Sequence, residues 1–188
     1  MRPAAEGGPE RPAFIGPDWE LDAEGRWSRL GARVVLIDEL DRVLMLRAHD
    51  VGEPGRSWWF TVGGGIDAGE DARDAAVREA AEEVGIVLHR DSLVGPVLTR
   101  SAVFDFALAP CRQDETFFLA RVPTRPEAGD DRSAWTAIEH ETVDEVRWLT
   151  VEEIATAQVQ VYPEGLAELL PGWLAGWDGQ LIDLPAQR

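Results

Sequence analysis

The sequence predicts an α/β fold, and three observations carry that reading. Two aliphatic runs, Ala32 to Ile37 and Arg42 to Arg47, flank a turn-like Asp38-Glu39-Leu40-Asp41 and read as a strand pair. The segment from Asp71 to Val84 contains neither Pro nor Gly and is rich in Ala, which favours a helix. Further extended runs follow it, so strands lie on both sides of one central helix.

Each element follows from its residues. Met1 to Arg11 is rich in Pro, Gly and charge and lacks an apolar period, so residues 1–12 are expected to form a flexible tail. Phe14, Ile15, Trp19, Leu21 and Trp27 are spaced irregularly, which suggests an extended arm lying on the domain. Ala32 to Arg47 is the expected hairpin. A polar, Gly-containing loop from Ala48 to Ser57 leads into a short aromatic strand, Trp58 to Thr61, and then Gly63-Gly64-Gly65. Gly85 stands where the central helix should stop. Apolar runs at Leu93 to Leu98 and Ala102 to Leu108, then Thr116 to Val122 and Val143 to Leu149, supply further strands around an acidic loop from Thr124 to Trp135. Thr150 and Glu153 have capping-box spacing for a short helix, and a last helix is expected over Glu164 to Trp173. Without internal repeats or a long linker, residues 13–188 are expected to form one domain.

Composition narrows the function. The chain has 188 residues, 45% of them hydrophobic, enough for a substantial core, and its 35 Asp+Glu against 18 Lys+Arg give a formal net charge of −17. Such a charge opposes phosphate backbones and anionic lipid unless a local basic patch or a metal intervenes, so long nucleic acid and membrane surfaces are disfavoured as partners. Every basic residue is Arg, which excludes a Schiff-base lysine and a P-loop lysine. The single cysteine, Cys111, forbids an internal disulfide and a thiolate zinc cluster. The N-terminus has no apolar signal core and no segment approaches a membrane span, so a cytoplasmic location is expected.

The central helix has two faces. Counting about 100° per residue from Glu79, Glu82 falls near −60° and Glu83 near +40°, while Val77, Ala80, Ala81 and Val84 occupy roughly 100–200° and are expected to pack inward. Three carboxylates thus converge within a turn and a half and repel one another unless a partner offsets the cost. Hard divalent cations with oxygen ligands are natural partners, and Mg²⁺ is held by a few carboxylates together with substrate phosphates. Metal ions would let so acidic a chain hold a polyphosphate. The Gly63-Gly64-Gly65 loop would bring main-chain groups close to metal and phosphate where side chains would obstruct.

From Gly64 to Ile86 the chain reads GGIDAGEDARDAAVREAAEEVGI, and here it resembles the Nudix hydrolase superfamily, whose MutT-like box is G-x5-E-x7-R-E-U-x-E-E-x-G-U with U bulky and aliphatic. Gly64, Glu70, Arg78, Glu79, Glu82, Glu83 and Gly85 occupy the seven fixed positions and Ile86 the last aliphatic one; only Ala80 is smaller than usual. A chance match is on the order of one in ten million per starting position, so the spacing is specific.

The resemblance implies an α/β/α sandwich around a mixed sheet. It also implies metal-dependent hydrolysis of a diphosphate linkage in a nucleoside diphosphate derivative or related small phosphorylated molecule, by water attack at phosphorus. By resemblance Glu79, Glu82, Glu83 and the Gly64 carbonyl would ligate Mg²⁺ or Mn²⁺, while Glu70 and Arg78 would orient loop and helix. The general base stays open between Glu79 and Glu83 in the box and Glu115 or Glu141 outside it. Arg47 and Arg56, with Gly63, Gly64 and Gly65, are the candidates for holding substrate, and one strand aromatic for stacking on a base. The alternative is a Nudix-like domain that senses a nucleotide without cleaving it, which the intact glutamates argue against; prenyl diphosphate isomerisation lacks an identifiable acid pair. The arm and the Thr124 to Trp135 loop are candidate contacts of a homodimer.

Overall fold

The computed structural model describes residues 11–12, 15–106, 109–125 and 127–187. Most of the expected tail, residues 1–12, lies outside them. Among these residues nine strands and four α-helices follow in the order β1 (Glu20–Leu21), β2 (Trp27–Ile37), β3 (Val43–His49), β4 (Ser57–Gly65), α1 (Ala72–Val84), β5 (Val94–Phe106), β6 (Ala109–Arg121), α2 (Ala137–Thr142), β7 (Val143–Leu149), α3 (Val151–Ala155), β8 (Gln160–Tyr162), α4 (Leu166–Ala175) and β9 (Ile182–Gln187). The main sheet runs β7-β3-β4-β2-β6-β5-β9, with β1 paired to β2 and β8 to β4.

The sheet is mixed because β2 runs parallel to β6 along its whole length, from Trp27↔Cys111 to Ile37↔Arg121, while β4 lies antiparallel on its other side. Buried on both faces, β2 alternates between two cores. Val34 and Leu36 join Val62, Phe118 and the Ala75, Ala76, Ala80 and Val84 side chains of α1. Val35 and Ile37 join Met45, Leu119, Ile154 of α3, and Leu166, Leu170 and Trp173 of α4. Helices therefore cover both faces, the α/β/α arrangement expected. Burial of each such aliphatic side chain stabilises the fold by about 1.5–3 kcal/mol.

Four differences from the sequence reading have physical causes. The hairpin turn forms, with Asp38 accepting from the Leu40 and Arg42 N–H groups, but β2 and β3 pair only at Ile37↔Val43 because β4 inserts between them. Strand β6 begins seven residues before the expected Thr116, at Ala109. Its alternation is hidden in the sequence because two of its inward positions are Gln113 and Glu115, which are as buried as Cys111 and Phe117. The two runs after α1 are one strand, β5, with an irregularity between Val94 and Leu98. The inward stripe of α1 is Ala75, Ala76, Glu79, Ala80, Glu83 and Val84; Ala81, expected inside, is exposed. That stripe centres near Glu83 and Ala80, which leaves Ala81 roughly 150° away.

The arm packs as expected: Ile15, Trp19 and Trp27 form a small cluster with Ala109 and Cys111. Burial pushes the Cys111 thiol up to about 11, which makes it an unreactive packing residue. Among the described residues no helix is long and apolar enough to cross a membrane.

Candidate metal and diphosphate site

Helix α1 is fixed at both ends. The Asp71 carboxylate accepts from the Arg73 and Asp74 N–H groups, and Gly85, left-handed at φ 68°, returns its N–H to Ala80 and Ala81. Its inward stripe places Glu79 and Glu83 against the end of β4. There Gly63 adopts φ +134°, and a Cβ on it would stand 2.2 Å from the Ala32 carbonyl oxygen, so only glycine fits. The Gly63 N–H donates to Glu83 Oε2 at 2.6 Å. A Cβ on Gly64 would meet the Glu79 carboxylate at 2.5 Å. The glycines therefore let the strand backbone press against both carboxylates.

Glu139 of α2 completes the group. One carboxylate oxygen from each of Glu79, Glu83 and Glu139 lies within 4.8 Å of the others. Glu139 Oε2 accepts from the Thr136 N–H at 2.6 Å and the Thr136 hydroxyl at 2.8 Å in a capping box, and Oε1 takes no part in that cap. The helix end is braced from the same side by Trp135, whose indole N–H donates to the Glu83 carbonyl at 2.8 Å.

The electrostatics of this group are unbalanced. Burial, and then the charge of Glu79, push the Glu83 carboxyl well above its ordinary range. Burial also raises Glu79, against the pull of Arg78 beside it. Concentrated negative charge without an equal counter-charge is the donor chemistry that a hard cation satisfies, and carboxylates at this separation suit Mg²⁺ or Mn²⁺. Glu82 stands apart from the trio: half-buried, it accepts from Arg78 Nη1 at 3.0 Å.

Arg78 ties loop to helix. Its Nε and Nη2 grip both oxygens of Glu70 at 3.0 and 2.9 Å, Nη2 also donates to the Gly65 carbonyl at 2.8 Å, and Nη1 donates to Glu79 at 2.8 Å. The Arg78 hydrogen bonds hold the Glu70 carboxyl below its usual range.

These residues open onto a cleft of about 980 Å³. Trp58, Phe60, Phe104, Phe106 and Trp19 of the arm give it aromatic walls, and Gly63, Gly64, Gly65, Arg33, Arg56 and Arg100 also line it. Arg56 lies over the Trp58 ring and donates to the Asp105 carbonyl at 3.1 Å. Arg47 is not part of this lining; it points to the other side of β3 and donates to the Ser57 hydroxyl at 3.3 Å. Glu115 lies at the cleft floor with its oxygens taken by Arg33, Arg100 and Gln113, which leaves it poorly placed to accept a proton from water. Glu141 is exposed and outside the lining. Sequence reasoning missed Glu139, although Thr136-x-x-Glu139 carries the same capping-box signal as Thr150-x-x-Glu153. It also missed Arg33 and Arg100, for which no local signal exists.

Comparison with known proteins places the chain in a family. The family model for the NUDIX domain matches residues 27–170. An uncharacterized Nudix hydrolase, YvcI, of Bacillus subtilis is 40% identical over 55 residues, 29% of this chain and 32% of its own. A putative 8-oxo-dGTP diphosphatase of the same organism is also 40% identical over 55 residues, 29% of this chain and 34% of its own. The match thus spans about a third of the length of these curated relatives. Among solved structures, the MutT protein of Bacillus halodurans aligns with a TM-score of 0.51 at 21% identity, covering 84% of this chain and 89% of that one, a likeness of fold.

Proposed function

The chain belongs to the Nudix family, and from that premise we propose that it is a metal-dependent hydrolase cleaving the diphosphate linkage of a small nucleoside diphosphate derivative. The observation that carries this reading is the convergence of Glu79, Glu83 and Glu139, two of them buried and under-compensated, at the edge of an aromatic-walled cleft. A bound Mg²⁺ or Mn²⁺ supplies neutralisation of phosphate charge and a more acidic water.

The residues divide the remaining work. Glu79, Glu83 and Glu139 would hold the cation, with Glu82 at the rim. Glu70 and Arg78 keep the Gly65 carbonyl and the helix in fixed relation. The proton of the attacking water passes to a carboxylate of the trio, since Glu115 has its oxygens engaged. Arg56, partly exposed at the cleft, offers charge to a phosphate, and the Trp58 and Phe60 rings offer stacking surface to a base. The volume suits a nucleotide carrying a further group. The net charge of −17 still disfavours long nucleic acid, so a small, metal-chelated anion is the ligand that fits.

The test is a screen of nucleoside triphosphates, oxidised triphosphates, dinucleoside polyphosphates, ADP-ribose and other sugar nucleotides with Mg²⁺ and Mn²⁺, following phosphate release and product masses. We expect turnover of at least one substrate and its loss in EDTA. Nucleotide binding that needs no metal, with turnover of none, would overturn the proposal in favour of a sensor.

A further inference from the structure

Beside the carboxylate trio lies a second buried charge cluster, outside the Gly64 to Ile86 motif. The Glu115 carboxylate, 1% exposed, accepts from Arg33 Nε at 2.7 Å, Arg100 Nε at 2.5 Å and Gln113 Nε2 at 3.1 Å. Burial alone would raise the carboxyl; the Arg33 and Arg100 guanidiniums override it and hold Glu115 below its ordinary range. Arg33 thus has its Nε fixed, and its Nη1 donates to two carbonyls of β4, Thr61 at 3.2 Å and Gly63. Gly63 is the residue whose N–H holds Glu83, and the next residue, Gly64, packs against Glu79. An unbroken run of contacts therefore leads from Arg100 through Glu115 and Arg33 to the backbone that spaces the two buried carboxylates.

We propose that Arg33, clamped by Glu115 and Arg100, is a positioning residue that sets the Gly63-Gly64 backbone, and through it the separation of Glu79 and Glu83, for a divalent cation. The inference rests on the metal reading given above. Two physical effects of Arg33 oppose each other, and this makes the proposal testable. As a nearby positive charge, Arg33 repels a cation, so its removal would tighten metal binding if charge were its whole contribution. As the anchor of the Gly63 carbonyl, it restricts a glycine that has no side chain of its own to hold it, so its removal loosens the ligand frame and weakens binding. Partners behind metal ligands typically contribute about 10–100-fold to affinity, and the positioning effect should prevail.

The experiment is a titration of the full chain with Mn²⁺ in the absence of substrate, free ion being read by electron paramagnetic resonance and folding by near-ultraviolet circular dichroism. Arg33→Met removes charge and anchor together; Arg33→Lys keeps the charge beside Glu115 but not the fork, and decides the matter if the methionine variant does not fold. We expect Mn²⁺ affinity at least about tenfold below wild type in both. Unchanged or tighter binding by a folded variant would overturn the proposal while leaving the metal reading intact. Failure of the wild-type chain to bind Mn²⁺ would overturn the metal reading itself.

Discussion

Glu83 and Glu115 are buried to almost the same degree, 4% and 2% exposed, and both feel the charge of Arg33, yet their protonation equilibria are displaced in opposite directions. Burial penalises the charge of each. Glu115 has two guanidiniums and a side-chain amide within hydrogen-bond reach, and stays ionised. Glu83 has one backbone N–H and a neighbouring glutamate, and its carboxyl is raised. Desolvation thus sets the size of the problem, and the company a carboxylate keeps decides how it is solved. One cluster is internally balanced and structural; the other is left short of positive charge, which is the condition for recruiting a cation.

The comparison is sharpened first by catalysis. Glu83→Gln keeps the shape and the acceptor for the Gly63 N–H but removes a charge from the trio; we expect hydrolysis of the substrate found in the screen to fall at least about a hundredfold, measured as kcat/KM. Glu115→Gln strikes the balanced cluster and removes the carboxylate that two buried guanidiniums share. Breaking a buried pair in this way costs about 3–5 kcal/mol, to be read as a lower midpoint in urea denaturation. Since ionised Glu115 contributes stability that is present above the ordinary carboxylate value and lost as pH falls through its depressed one, the deficit of Glu115→Gln should shrink on acidification below about pH 4.

The smallest effect has the opposite sign. In EDTA at pH 8, Glu83→Gln should be more stable than wild type, because it removes a buried charge that the Gly63 N–H and nearby Arg33 compensate only in part. The folded carboxyl of Glu83 lies above its unfolded value of 4.5, so the stability of its neutral form is full below pH 4.5 and lost as pH rises through the raised value. The advantage of the variant should therefore vanish as pH falls towards 4.5, and excess Mg²⁺ should reverse it at pH 8. Thermal denaturation reads this at about 2–4 °C per kcal/mol for a domain of this size. An advantage that persists at pH 4.5 would show that packing, not charge, separates the two proteins.

Much of the site was legible in the sequence because its members are close in the chain. Glu70, Arg78, Glu79, Glu82 and Glu83 are brought together by a single helix and the loop before it, and helical periodicity alone aligns the glutamates. Glu139 was not, because it reaches Glu83 only after β5, β6 and a long loop have returned the chain to the helix end; Glu141, two residues on, was named instead and is exposed. Arg33 gave no signal either, and Glu115 was named only as a candidate base, not as the partner of a buried arginine. A charged residue inside a strand reads as a solvent-facing position, and only strand pairing shows that these two neutralise each other. The fold followed the same rule. The aliphatic run of β2, the glycine stop of α1 and the cap of α3 were readable, whereas the insertion of β4 beside β2 and the early start of β6 depend on partners distant in sequence.

The parallel pairing of β2 with β6 has a consequence for how the chain finds its register. These strands pair across the whole of β3, β4, α1 and β5, so their pairing closes a long loop and its register is set by what the two strands present to each other. In the native register Glu115 stands opposite Gly31 and reaches Arg33 two positions along. A one-residue slip that brought Thr116 opposite Gly31 would turn Glu115 to the other face of the sheet and take its carboxylate away from Arg33. The ion cluster therefore ties strand register to charge: only the aligned strand puts the Glu115 carboxylate on the face that carries Arg33.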